Sequence, residues 1–139
     1  MESREFKPFG SVSALTLGGG GIGNVWGETS KEESIASVHL ALESGIDHLD
    51  VAPMYGKGEA ERVVGEAIKE RSRDSFRLTT KCALGSLPDE EVYDRFNTSL
   101  IRSLDTMGTD YVDLFLLHSQ LIENCLLYTS DAADERSWG

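Results

Sequence analysis

The strongest constraint on what this chain can fold into is a regular alternation of short apolar runs with amphipathic segments of helical length. Runs at residues 12–17, 46–50, 76–81 and 111–118 are rich in Leu, Val, Ile, Phe and Thr, the residues that favour extended backbone. Between them, residues 31–44, 59–71 and about 88–107 carry apolar residues at helical spacing. Strands joined by crossovers of that length must run parallel, with right-handed connections. The pattern is plainest in the middle segment. Ala60, Val63, Val64, Ala67 and Ile68 form an i, i+3, i+4, i+7, i+8 stripe, and Glu61, Arg62, Glu66, Lys69 and Glu70 read as its solvated outer face.

The boundaries follow from local chemistry. Ser30 followed by Glu33 is a capping box that starts the first helix. Its inward stripe is Ile35, Val38, Ala41 and Leu42, which leaves His39 off the stripe and facing solvent. Gly45 ends that helix, and Pro88 and Gly108 bracket the third, whose inward residues are Val92, Phe96, Leu100 and Leu104. His48, within the second strand, reads as a packed or hydrogen-bonded strand residue. Leu114 to Leu117 is nearly continuous apolar sequence, as expected of a strand buried on both faces. Residues 1–118 contain no internal repeat and no linker, so they constitute one α/β unit.

Glycine fills most of the stretch from Gly18 to Gly23, and Gly18, Gly20 and Gly23 satisfy GxGxxG literally. In a dinucleotide-binding Rossmann unit the helix begins inside the glycine run. Here the helix signal waits until Ser30, so the run reads as a strand-to-loop transition that allows close backbone approach, including approach to a ligand. A net charge of -11 argues against nucleic acid or an anionic membrane as partner, and means that a phosphate-bearing ligand must be held by local donors. No apolar run is long enough to span a bilayer. The opening MESREFKPFG has no signal-peptide core, and Cys82 and Cys125 fit no metal or redox spacing; the expected setting is the reducing cytoplasm.

Asp50, Lys81 and His118 each fall at the C-terminal end of a predicted parallel strand, and Tyr55 lies in the glycine-flanked loop that follows Asp50. If the strands are neighbours, all four groups gather on one rim of the sheet, where parallel barrels place their chemistry. A lysine ammonium beside a phenol favours the phenolate, and a carboxylate holds that ammonium in place. His118 could orient a substrate oxygen. Such a set suits protonation of a carbonyl oxygen while hydride reaches its carbon, and it contains neither an activated Ser or Cys nor a metal cluster.

These segments resemble a known family. HLDVAPMYG is similar to the DTAxxYG segment of the aldo-keto reductases, with Val51 where Thr is usual. TTK resembles their lysine strand, and DYVDLFLLH their strand ending in histidine; the glycine loop and GEAIKE also fit, so the likeness runs from about residue 12 to 118. The resemblance implies a (β/α)8 barrel that reduces aldehydes or ketones with NADPH, or with NADH. It implies Asp50, Tyr55, Lys81 and His118 as a catalytic tetrad, with Tyr55 the acid, Lys81 the cation that assists it, Asp50 the partner of Lys81 and His118 the orienting group. It implies a nicotinamide near Gly19, Gly20, Gly21 and Asp50, and a small carbonyl compound as substrate.

Residues 1–118 then correspond to the N-terminal half of the barrel, an open half with about four strands and three helices. A full barrel takes roughly 250 residues. Residues 119–139, with an expected short helix at 121–127 and a polar end, match no part of the family pattern and read as foreign to the domain. An open half leaves its first and last strands as free edges, so the isolated chain is expected to self-associate or to be largely insoluble. In the family the adenosine phosphate is held by the other half, so the isolated chain is expected to bind NADPH weakly or not at all. Two other readings use the same residues: a barrel aldolase forming a Schiff base on Lys81, and a regulatory subunit that keeps the fold to sense cofactor. A further one is that the fragment as it stands has no activity of its own.

Overall fold

The structure is a computed structural model and describes residues 1–7, 9–85 and 88–118; the readings of 119–139 lie outside the described residues. The chain opens with an antiparallel hairpin, β1 (Ser3–Phe6) and β2 (Gly10–Ser13). The expected single strand over 12–17 is therefore corrected. The Ser13 hydroxyl donates to Leu15 O at 2.6 Å, the chain bends at Ala14 and Leu15, and the next strand, β3, is only Leu17–Gly18. The hairpin is latched to the rest of the fold. Ser13 N–H donates to Asp47 Oδ1 (2.8 Å), while Arg77 pairs with Asp47 Oδ2 (2.9 Å) and donates to Phe9 O (3.1 Å).

From β3 onward the alternation unfolds as the sequence predicts. The helices α1 (Lys31–Glu43), α2 (Glu59–Ile68) and α3 (Asp89–Met107) alternate with β4 (His48–Asp50), β5 (Arg77–Cys82) and β6 (Leu114–Leu117). The four strands β3-β4-β5-β6 lie side by side in chain order and are all parallel. That sequential order, with no reversal, is the order of a (β/α) barrel and not of a doubly wound sheet. α1 has the capping box at Ser30 and Glu33.

Alternation along the strands separates two faces. Leu49 and Leu78 are fully buried among Val38, Val63, Val64, Phe76 and Met107, so this is the face the helices cover. His48, Asp50, Thr79 and Lys81 occupy the opposite face. All five stripe residues of α2 are buried.

Three assignments change. Glu61 does not belong to the solvated face of α2: it is 2% exposed and accepts a hydrogen bond from the Thr80 hydroxyl at 2.6 Å. His39 does not simply face solvent, because its Nε2 lies 2.9 Å from Ala67 O and ties α1 to α2. β6 is not buried on both faces; Leu116 is 40% exposed, because among the described residues no layer covers the inner face of the sheet. Val92, Phe96, Leu100 and Leu104 turn inward on α3 but stay half-buried for a related reason, as nothing described packs beyond the last strand.

Candidate active site

Register brings the predicted groups together. Gly18 pairs with Asp50, Asp50 with Thr79, and Thr79 with Leu114, so β5 and β6 run on past the level where β3 and β4 end, and the inner-face side chains at these C-terminal ends share one rim. Lys81 is the hub. Its Nζ pairs with Asp50 Oδ1, and lies 3.0 Å from Val51 O and 3.3 Å from Tyr55 OH. Three oxygens thus surround an ammonium that has three protons to give. The Lys81 side chain is mostly buried at 11% exposure, where a cation keeps its place only if so paired.

Tyr55 reaches this point from a tight loop. Its N–H bonds to Ala52 O (3.0 Å), and its carbonyl accepts from Ala60 N in the first turn of α2 (3.3 Å). Its ring stands edge-on to His118, with centroids 5.7 Å apart and planes at 90°. His118 follows β6, its N–H bonded to Cys82 O (2.7 Å), and its Nδ1 is buried with no hydrogen-bond partner among the described residues. All four predicted residues therefore converge.

The glycine loop closes the other side. Gly19 N–H donates to Asp50 O (2.7 Å), and a Cβ on Gly19 would stand 2.8 Å from Val51 Cγ1 and 3.2 Å from Tyr55 Cδ2. Only glycine lets this backbone lie against the tetrad. The result is a cleft of about 470 Å3 lined by Gly18, Gly19, Gly20, Trp26, Asp50, Tyr55 and Lys81, among others. Gly21 is exposed and is not among those lining residues. Trp26 was not singled out from the sequence, yet its indole lies against Gly20, where a Cβ would come within 2.8 Å of it, and it is 81% exposed. The available signal was a lone tryptophan in a polar stretch just after the glycines.

Beneath the rim, on the same inner face, His48 bridges two strands and the approach to a third. Its Nε2 is 2.7 Å from Thr79 Oγ1, and its Nδ1 3.3 Å from Thr16 Oγ1. The expectation of a hydrogen-bonded strand histidine holds. Burial pushes the imidazole below its ordinary value of 6.5, against the opposing pull of Asp50, Asp47 and Asp113. A lowered value in the folded state means that protons bind the unfolded chain more readily. This contribution to stability is present above 6.5 and is lost as pH falls through the folded value. Chemical denaturation is therefore expected to show stability falling from pH 7 to pH 5 more steeply in the wild type than in His48→Gln; equal slopes would contradict the assignment.

Comparison with known proteins agrees with this geometry. Residues 14–129 match the model of the aldo/keto reductase family. The chain belongs to the aldo-keto reductase family. Aldo-keto reductase YhdN of Bacillus subtilis is 39% identical over 114 residues, which is 77% of this chain and 34% of the relative. The NADH-specific methylglyoxal reductase of Escherichia coli is 32% identical over 125 residues, covering 80% of this chain and 38% of that one. Among solved structures, an aldo-keto reductase from Klebsiella pneumoniae in complex with NADPH superposes with a TM-score of 0.73 at 27% identity, over 96% of this chain and 44% of that one. The fold is thus that of the family's (β/α)8 barrel, of which the described residues form a part. The chain spans about a third of the length of the curated relatives, at 34% and 38%.

Proposed function

We propose that residues 1–118 are the N-terminal half of an aldo-keto reductase barrel which, when complete, reduces an aldehyde or ketone to the alcohol with NADPH or NADH. The observation that carries the reading is the Lys81 hub, with Asp50 against its ammonium and the Tyr55 hydroxyl 3.3 Å away. Tyr55 gives its proton to the carbonyl oxygen, and the phenolate left behind faces a fixed cation, so the developing charge is met without reorganisation. Asp50 holds the ammonium. His118 positions the carbonyl oxygen as a hydrogen-bond donor.

The cleft suits the nicotinamide end of a dinucleotide. Gly19 and Gly20 remove the Cβ atoms that would fill it, Asp50 stands at its edge, and Trp26 offers an exposed aromatic wall. When bound there, the cofactor supplies hydride to the carbonyl carbon. The relatives that bind NADPH and act with NADH support both cofactors for this chain. In this reading the 139-residue chain alone self-associates through the inner face around Leu116, which no other described residues cover.

The arrangement also weighs against a Schiff-base aldolase. A nucleophilic lysine needs a free lone pair, whereas every proton-bearing direction of Lys81 Nζ is taken by an oxygen. The test is aldehyde-dependent oxidation of NADPH by the protein with its barrel complete. Consumption of cofactor with one equivalent of alcohol is expected. Failure to oxidise either NADPH or NADH across a panel of aldehydes and ketones, or a borohydride-trapped adduct on Lys81, would overturn the reading.

A further inference from the structure

Glu61 is a buried carboxyl that the chemistry above does not use. It sits in the first turn of α2 at 2% exposure, and among the described residues no ion pair includes it. Its recorded partner is the hydroxyl of Thr80, itself fully buried, which donates to Oε1 at 2.6 Å. Leaving a carboxyl in such a place is costly, and the same turn of helix could have held a leucine. The position favours a carboxyl in one respect: α2 starts at Gly58 with no side-chain cap, and an acidic group in the first turn meets the positive end of the helix dipole.

What Glu61 joins is informative. Thr80 precedes Lys81 on β5, and strand alternation turns Thr80 toward the helices while Lys81 points to the rim. α2 in turn begins just after the loop that carries Tyr55, with Ala60 N–H bonded to Tyr55 O and Glu59 N–H to Gly56 O. The Glu61–Thr80 bond therefore fastens the element that delivers the tyrosine hydroxyl to the strand that delivers the ammonium. It lies on the far side of the sheet from the place where those groups meet. The β5 ladders fix how far the strand extends along the sheet; they do not fix its distance from α2. A hydrogen bond between two buried side chains does.

We propose that Glu61 is a positioning residue which, through Thr80, sets the separation of Lys81 Nζ from Tyr55 OH. As a catalytic matter the inference rests on the carbonyl-reductase reading; as a structural matter it stands on the Glu61–Thr80 bond and the bonds that tie the Tyr55 loop to α2. Its test separates the two. Lys81 Nζ lies over the Tyr55 ring, 4.9 Å from the centroid, so the neighbouring CεH2 protons report the contact through the ring current. In the 139-residue chain labelled with 13Cε-lysine, the Lys81 correlation, assigned by its loss in Lys81→Arg, is expected to stand apart from those of the other lysines.

Glu61→Leu and Thr80→Val each remove the bond, and both are expected to move that signal back toward the other lysines. Glu61→Gln, whose amide oxygen still accepts from Thr80, should leave it in place. Thr80→Val is close to isosteric, so it keeps the test usable if Glu61→Leu fails to fold. In the complete barrel the same two bond-breaking variants should lower kcat about tenfold with little change in KM for NADPH, and Glu61→Gln should restore most of the rate. A Lys81 signal unmoved in Thr80→Val, or moved equally in Glu61→Gln, would overturn the positioning role whatever the activity. A signal that behaves as expected in a protein that reduces no carbonyl compound would instead overturn the functional reading and leave the positioning intact.

Discussion

Tyr55→Phe is expected to remove all but about a hundredth of the carbonyl-reducing rate while leaving affinity for NADPH nearly unchanged, since a general acid typically contributes 10²–10⁴-fold. The change deletes one oxygen and keeps the ring. The edge-on contact with His118 survives, and so does the packing against Gly19, so the loss can be assigned to the proton and not to the shape of the cleft. Lys81 acts on the substrate through Tyr55. Lys81→Met should therefore cost much less when added to Tyr55→Phe than when made alone, the non-additivity expected of groups that work as a unit. Steady-state kinetics on the complete barrel decide the matter. A Phe variant keeping more than about a tenth of the rate would show that another group supplies the proton.

Gly56→Ala is expected to be the most disruptive glycine-to-alanine change among the described residues. Gly56 follows Tyr55 with φ at 62°, in the left-handed region, which costs an L-residue roughly 1–2 kcal/mol. A Cβ there would also stand 1.8 Å from the carbonyl oxygen of Gly23, a backbone atom that cannot swing aside. The glycine loop and the tyrosine loop would have to part, so both stability and the position of the hydroxyl should suffer, with a total cost of about 3 kcal/mol or more. Gly108→Ala provides the control. Gly108 has nearly the same φ, at 63°, but an added Cβ would meet nothing within 4 Å, so only the conformational cost applies. Equal destabilisation of the two variants in chemical denaturation would show that the contact with Gly23 is not what constrains Gly56.

The difference between what could and could not be read from the sequence follows physical lines. Strand ends were legible because a polar group that closes an apolar run has to emerge somewhere, and Asp50, Lys81 and His118 each do so. α2 was legible because burial imposes a period, and Ala60, Val63, Val64, Ala67 and Ile68 keep it. Glu61 was misread through its residue type and not through its position. It sits three residues before Val64 and seven before Ile68, on the buried side, and only its charge argued otherwise. The acceptor it offers Thr80 is a long-range fact that spacing cannot report. The N-terminal hairpin was missed because Ser3–Phe6 is exposed throughout and so carries no alternation. Trp26 and Thr16 line the cleft through the path of a loop, which no periodicity encodes.

The side-by-side order of the strands also bears on when the site comes into being. Asp50 and Lys81 are 31 residues apart, and Lys81 and His118 are further apart still, each pair separated by a whole helix. Parallel pairing closes those long loops before any contact rewards it, which makes such topologies slow to form. No two of the three strand-end groups can meet within a local nucleus. During refolding, helix formation should thus run ahead of the Lys81–Asp50 contact, and the tetrad is among the last things the chain assembles.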